Sequence, residues 1–315
     1  MWTIFKKELA DKFNSTRFLI IFSLILMVSL IITSMVGISI REQLLGAVKP
    51  KYVFLMLFTA GGEFFSLTQF IAFFGPLIGL ILGFDSINSE RNSGTLVKLL
   101  SQPIYRDAVI NGKFLAGVVT VTIMFGSLIL LISGIGLLTI GVVPGWEEIL
   151  RVFIYLIISI CYVSFWLGVS ILFSILFRSA ATSALAVISL WILFSFFTGF
   201  GATLLADVIS PVKNPHNIEE VIKNQQTARR ISLISPINLY SESTSVILDP
   251  YRKTTKRILL IGPMEKISMS RFQNPLPVDQ SLLVIAPYLT ILWALTFVCF
   301  GISYGVFMKQ EVRSL

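Results

Sequence analysis

Between Leu82 and Phe114 the chain reads LGFDSINSERNSGTLVKLLSQPIYRDAVINGKF, the one polar island in its first two thirds. Asp85, Glu90, Arg91, Lys98, Arg106, Asp107 and Lys113 stand there between two long apolar runs. Their types and spacing suit docking onto a partner, and no catalytic residue is assigned. The phosphate-cradling loop G-x-x-x-x-G-K-[ST] is absent. Its nearest counterpart, Gly112–Lys113, has Asp107 in place of the upstream glycine and Phe114 in place of the hydroxyl. His216 is the only histidine and sits in a polar loop. Cys161 and Cys299 both fall in apolar runs, which supports neither a disulfide framework nor a metal site.

The elements that position this island are set by composition. The 315 residues are 55% hydrophobic and 13% charged, with a mean hydropathy of +0.84. Soluble domains carry about 25% charged residues, so an ordinary soluble globular protein is excluded. Uncharged apolar stretches of about 20 residues, the length needed to cross a bilayer core, occur at 18–40, 64–84, 116–143, 152–177, 181–205 and 282–308. Pro76 and Pro287 interrupt two of them, which spanning helices tolerate when neighbours satisfy the freed backbone groups. The first stretch is too long for the apolar core of a signal peptide and is followed by no small-residue cleavage site.

Short-loop Lys and Arg orient the spans. With the N-terminus inside, inner segments carry eleven cations and short outer loops four, Arg41, Lys49, Lys51 and Arg151. Both termini are therefore predicted to be cytoplasmic, with one large outer loop at 206–281. The net charge of +8 does not call for nucleic acid, because the basic residues lie between apolar runs, where lipid head groups account for them. No ionisable residue falls deep within a span. That argues against a proton relay or an ion-coupled carrier, which place such groups at membrane depth. Work done by this chain must be powered by another.

Within the island, Asn92–Gly94 breaks a helix that continues from span two, and Thr95 can cap a short helix over 96–100. Leu96, Leu99 and Leu100 then make one apolar face, and Pro103 ends it. That face fits a groove on a soluble partner or a lipid surface equally well.

The stretch DSINSERNSGTLVKLLSQPIYR, 85–106, followed by Gly112–Lys113, resembles the segment after the second span of ABC-2-type permeases, including the group related to the nitrous-oxide-reductase maturation permease. The family pattern is D-x-I-x-x-E-R-x-x-G-T-L-x-x-L-L-x-x-P-I-x-R. The resemblance implies an all-α integral membrane fold with six transmembrane helices. It makes 85–114 a cytoplasmic coupling segment that seats in a separate ATPase subunit. Asp85, Glu90, Arg91, Gly94, Thr95, Leu96, Leu99, Leu100, Pro103 and Arg106 are its matching positions. Glu90 and Arg91 would make polar contacts to the ATPase, and the leucines would fill its groove. Arg178 and Ser179, between spans four and five, resemble the family's second cytoplasmic contact. Residues 1–17, with Trp2, Phe5, Leu9 and Phe13 on one face, resemble its interfacial elbow helix.

Implied partners are two copies of a cytoplasmic ABC ATPase, which bind ATP and Mg, a second permease copy (identical or paralogous) and the bilayer; this chain itself holds no cofactor. A prokaryotic plasma membrane, with 18–205 and 282–315 forming the bundle and inner tail, is the expected location. The rival reading is a membrane scaffold that anchors a soluble partner and transports nothing. Residues 206–281 read as an outer cap, longer than the family's usual re-entrant connection. It is either a lid or platform for an extracytoplasmic partner, or a surface loop with no direct role. Gly75, Gly79 and Gly83 in span two and Gly301 and Gly305 in span six read as small-residue packing stripes.

Overall fold

The computed structural model describes residues 1–44, 51–60, 66–96, 101, 105–212, 217–251 and 275–310. Among the described residues the chain is helical, without strands. Helix α1 is Trp2–Phe13, α2 Thr16–Leu44, α3 Val53–Thr59, α4 Leu67–Gly83, α5 Asn88–Asn92, α6 Arg106–Ile140 and α7 Trp146–Leu176. Then follow α8 Ala180–Ile192, a π-helical turn Leu193–Phe197, α9 Thr198–Ile209, α10 Ile218–Ser232, α11 Pro236–Leu248 and α12 Val278–Lys309. Among the described residues, six helices are long and apolar enough to span a bilayer: Thr16–Leu44, Leu67–Asn92, Arg106–Ile140, Trp146–Leu176, Ala180–Ile209 and Val278–Lys309. All six apolar stretches expected from the sequence are there. The third, fourth and sixth spans each begin several residues earlier than expected, so that Lys113 and Arg151 belong to helices and not to loops.

Local chemistry sets the helix ends. Ser66 and Gln69 form a reciprocal capping box at the start of α4. Gly141, at φ +69°, closes α6 in a left-handed turn that costs a glycine nothing. Glu148 accepts from the Gly145 N–H at 2.8 Å and from the Phe54 N–H at 3.0 Å. One carboxylate thus satisfies donors at the starts of both α7 and α3.

Span four is the hub and packs on spans two, three, five and six. Its most apolar stretch is 72% buried, against 11% for span five, whose Phe196, Phe197 and Phe200 face outward. The glycines of span two explain how close the hub can come. A methyl group on Gly79 would lie 2.7 Å from the Leu167 backbone nitrogen, and one on Gly83 would lie 2.7 Å from Ser170 Cβ. Gly301 and Gly305 meet nothing within 4 Å, so only the stripe in span two works within the bundle. Gly79→Ala should therefore force spans two and four apart and lower stability by about 1–3 kcal/mol. Gly301→Ala should stay within about 0.5 kcal/mol of the parent, and equal melting temperatures for the two variants in detergent would refute this packing.

The described parts of 206–281, residues 206–212, 217–251 and 275–281, do not stand clear of the bundle as an outer cap. Helix α9 carries span five on to Ile209, and α10 folds back on it through Asn224, whose amide donates to Asp207 and to the Ser210 carbonyl. Asn217 caps α10 as its sequence predicts. Helix α11 sits inside the bundle, against spans two, four and six, with Leu239, Tyr240, Val246 and Ile247 fully buried. Tyr240 stacks on Tyr162 at 4.5 Å and its hydroxyl meets Ser159 at 3.0 Å. The segment looks polar in sequence, but Ser243 and Thr244 turn their hydroxyls onto their own helix, at the carbonyls of Leu239 and Tyr240. Such bonding lets a hydroxyl-rich helix enter an apolar bundle.

Candidate functional site

Because the spans alternate in direction, α1, the segment after α4, the α7–α8 junction and the end of α12 gather at one end of the bundle. The polar island lies there, and most of its predicted contact residues are engaged within the chain. Asp85 pairs with Arg17. The N–H groups of Ile87 and Asn88 both donate to Ser174 Oγ on span four, at 3.0 and 3.2 Å. Arg91 donates to Gln310 Oε1 at 2.7 Å and to the Ile175 carbonyl at 3.4 Å. Arg106 donates to the Gln310 carbonyl at 2.9 Å.

Glu90 lies deeper. Lys113, 3% exposed, donates to Glu90 Oε1 at 2.9 Å and to Glu8 Oε1 of α1 at 2.7 Å. Helix α1 reaches this point because Gly112 lets Ile4 approach, a methyl there falling 3.0 Å from Ile4 Cγ2. Lys12 donates to the Leu82 carbonyl at 2.6 Å, and burial pushes its ammonium down to about 8 despite the opposing pull of Glu8. Helix α1 is therefore latched to the island by charge-assisted bonds, and not merely laid beneath the bundle.

These contacts add partners within the chain to the expected roles. Glu90 and Arg91 brace the island against spans three, four and six, where the resemblance to ABC-2 permeases implies contacts to a partner. Leu96 is fully buried and so is committed to this chain's own core. Gly94 has φ +68°, the left-handed turn expected of it. The Thr95 hydroxyl turns back to Ser93 and the Glu90 carbonyl, at 2.8 and 3.2 Å. Leu99, Leu100 and Pro103 lie outside the described residues. Arg178 and Ser179 are exposed, and Asn92 reaches the Arg178 carbonyl at 3.4 Å. Around them Thr95, Tyr105, Leu176 and Phe177 are exposed, Tyr105 at 83%. Among the described residues, the island thus has a fastened inner side and an exposed outer side at Thr95 and Tyr105, continued by Leu176, Phe177 and Arg178 of the α7–α8 junction.

Residues 2–312 match the family described as ABC-2 family transporter protein. The chain belongs to the ABC-2 transporter family. Two curated relatives, each called probable ABC transporter permease protein NosY, share part of it. The one from Pseudomonas aeruginosa is 34% identical over 115 residues, which is 36% of this chain and 38% of the relative. The one from Stutzerimonas stutzeri is 32% identical over 114 residues, 36% of this chain and 37% of that one. The match thus spans less than two fifths of either relative's length.

In this ABC-2 chain, sequence reading missed Glu8, Lys12, Ser174 and Gln310 as members of the site and counted Lys113 among loop cations. The available signal was Gly112–Lys113, a small residue beside a cation nearly two turns into a helix, facing an α1 that carries Glu8. The opposite end holds a second buried charge. Arg151 is fully buried and donates to the Ile247 carbonyl at 2.8 Å, Ser281 Oγ at 3.2 Å and the Leu276 carbonyl. It also pairs with Glu147 at 3.0 Å, which accepts from the Tyr52 hydroxyl at 2.7 Å.

Proposed function

We propose that this chain is the permease subunit of an ABC exporter, driven by separate ATPase subunits that dock where the polar island emerges. The observation that carries this reading is the two-sided island. Its inner side is bonded to spans three, four and six, while its outer side presents Thr95 and Tyr105 beside Phe177 and Arg178 of the α7–α8 junction. A push on that outer side reaches several spans at once, as power from another chain requires. The docking end is cytoplasmic on this reading, in agreement with the lysine and arginine bias. A second permease copy completes the path, along the open faces of the outer spans.

At the far end, a cavity of about 390 Å³ between α3, the start of α4 and α11 is lined by Thr59, Ser66, Gln69, Asn238, Glu242 and Asp249, among others. A hydrated vestibule there supports an exit route, because such side chains at that depth demand water or a polar cargo.

The test is to co-express the chain with an ABC ATPase encoded beside it, purify through a tag on the permease and assay ATP hydrolysis in the eluate. A stable, active complex that Leu99→Asp uncouples, by at least about tenfold in permease-dependent hydrolysis, is the expected result. Failure to recover an ATPase would put the scaffold reading first.

A further inference from the structure

Beneath the elbow helix lies a cavity of about 350 Å³, within the size range of small-ligand sites (about 300–1,000 Å³). We propose that it binds the phosphoethanolamine head group of an aminophospholipid. This inference goes beyond the permease reading and does not depend on an ATPase.

Three observations lead there. The first is depth. The cavity is bounded by the start of span one at Arg17 and Phe18, the end of span two at Ile81 and Leu82, and Lys113 near the start of span three. That is the level at which apolar helices give way to polar segments, where head groups lie. Phe18, Ile81 and Leu82 give it an apolar side, and α1 beside it is amphipathic, with Trp2 exposed and stacked on Phe5 at 5.0 Å.

The second is charge. Lys7, Lys12, Arg17 and Lys113 face Glu8, Asp11, Asp85 and Glu90 around the cavity, four cations against four anions. A balanced lining favours a zwitterion over a simple anion. Lys12 spends one of its three donors on the Leu82 carbonyl, and the Arg17 fork pairs with Asp85. Both retain N–H groups for a phosphate.

The third is unmet hydrogen bonding. Glu90 Oε2 and Ser86 Oγ, both lining this cavity, are buried without a partner among the described residues. A carboxylate oxygen can only accept, and leaving it unmet is costly. A primary ammonium supplies the N–H groups it lacks. A trimethylammonium carries the same charge with no donor, and a glycerol head group brings no cation. The cavity is therefore selective by chemistry for a primary amine ester-linked to phosphate.

The experiment measures lipid retention by native mass spectrometry on the detergent-solubilised full chain, with palmitoyl-oleoyl phosphatidylethanolamine, phosphatidylcholine and phosphatidylglycerol in turn. The expected result is phosphatidylethanolamine held about tenfold more tightly than either competitor, the worth of one hydrogen bond to a charged group. Ser86→Ala should reduce that preference at least threefold, whereas Arg17→Gln should weaken retention of all three lipids alike, because the phosphate it holds is common to them. Equal retention of the three lipids overturns the proposal, and this comparison on the unaltered chain stands whatever the variants do. Soluble glycerophosphoethanolamine that displaces the lipid at equal concentration would transfer the site from a membrane lipid to a soluble ester of the same chemistry; weak displacement supports the lipid.

Discussion

Lys113→Met is expected to destabilise the chain by about 3–5 kcal/mol, the usual cost of removing one partner from a buried ion pair. Lys113 is 3% exposed and holds two carboxylates, Glu8 at 2.7 Å and Glu90 at 2.9 Å. Methionine preserves the packing volume but leaves the two anions facing each other without a cation. The buried pair need not be a net gain over an apolar substitute; its loss is costly because the residual charges have no water to turn to. The latch should open at its weakest joint, between α1 and the polar island. Limited proteolysis should then cut within residues 85–114, and the melting temperature in detergent should fall. Adding Glu8→Gln and Glu90→Gln to Lys113→Met should recover much of the loss, because neutral amides remove the repulsion. An unchanged melting temperature for the single variant would show that the triad carries no weight.

Arg151→Leu should have a comparable effect, about 3–5 kcal/mol, expressed at the other end. The Arg151 guanidinium joins α11, through the Ile247 carbonyl, to the Leu276 carbonyl before span six and to Ser281 within it. It also neutralises Glu147. Removing it strands several acceptors in a buried place at once. Arg151→Lys should recover only part, because one ammonium cannot reach all four partners in the fork geometry that arginine supplies. Hydrogen exchange measured by mass spectrometry is the sharp readout. Pro236–Leu248 should lose protection in Arg151→Leu while Leu67–Gly83 keeps it. Uniform loss across both segments would mean that the arginine stabilises the bundle generally and does not clasp α11.

Much of this architecture is written in composition and spacing. The spans are uncharged runs of the length a bilayer demands. The turn at Gly94 and the cap at Asn217 are local chemistry, legible in a few residues. What escaped was long-range. Glu8 and Lys113 stand 105 residues apart, and each in isolation looks like a solvated surface charge; only the closeness permitted by Gly112 buries them together. Leu96 sits on a predicted docking face, yet helical periodicity says that a face is apolar and not whether this chain or another covers it. Helix α11 was hidden for the opposite reason. Its serines and threonines suggest water, and their self-satisfaction on the helix backbone cannot be seen without coordinates.

Span six is fastened to span four twice. At one end Gln310 Nε2 donates to the Ile175 carbonyl at 3.3 Å, and at the other Arg151 holds Ser281 at 3.2 Å. Between them Ser303 meets the Gly168 carbonyl and Thr296 meets Cys161, at 3.5 and 3.9 Å. Two rods pinned at both ends cannot slide lengthwise without breaking a pin. The pair forms a strut, and span two, keyed into span four through Gly75, Gly79 and Gly83, is mortised to it. A change of shape that keeps these bonds leaves that frame intact and is carried by the helices hung around it, in the way that a door moves and its jamb does not.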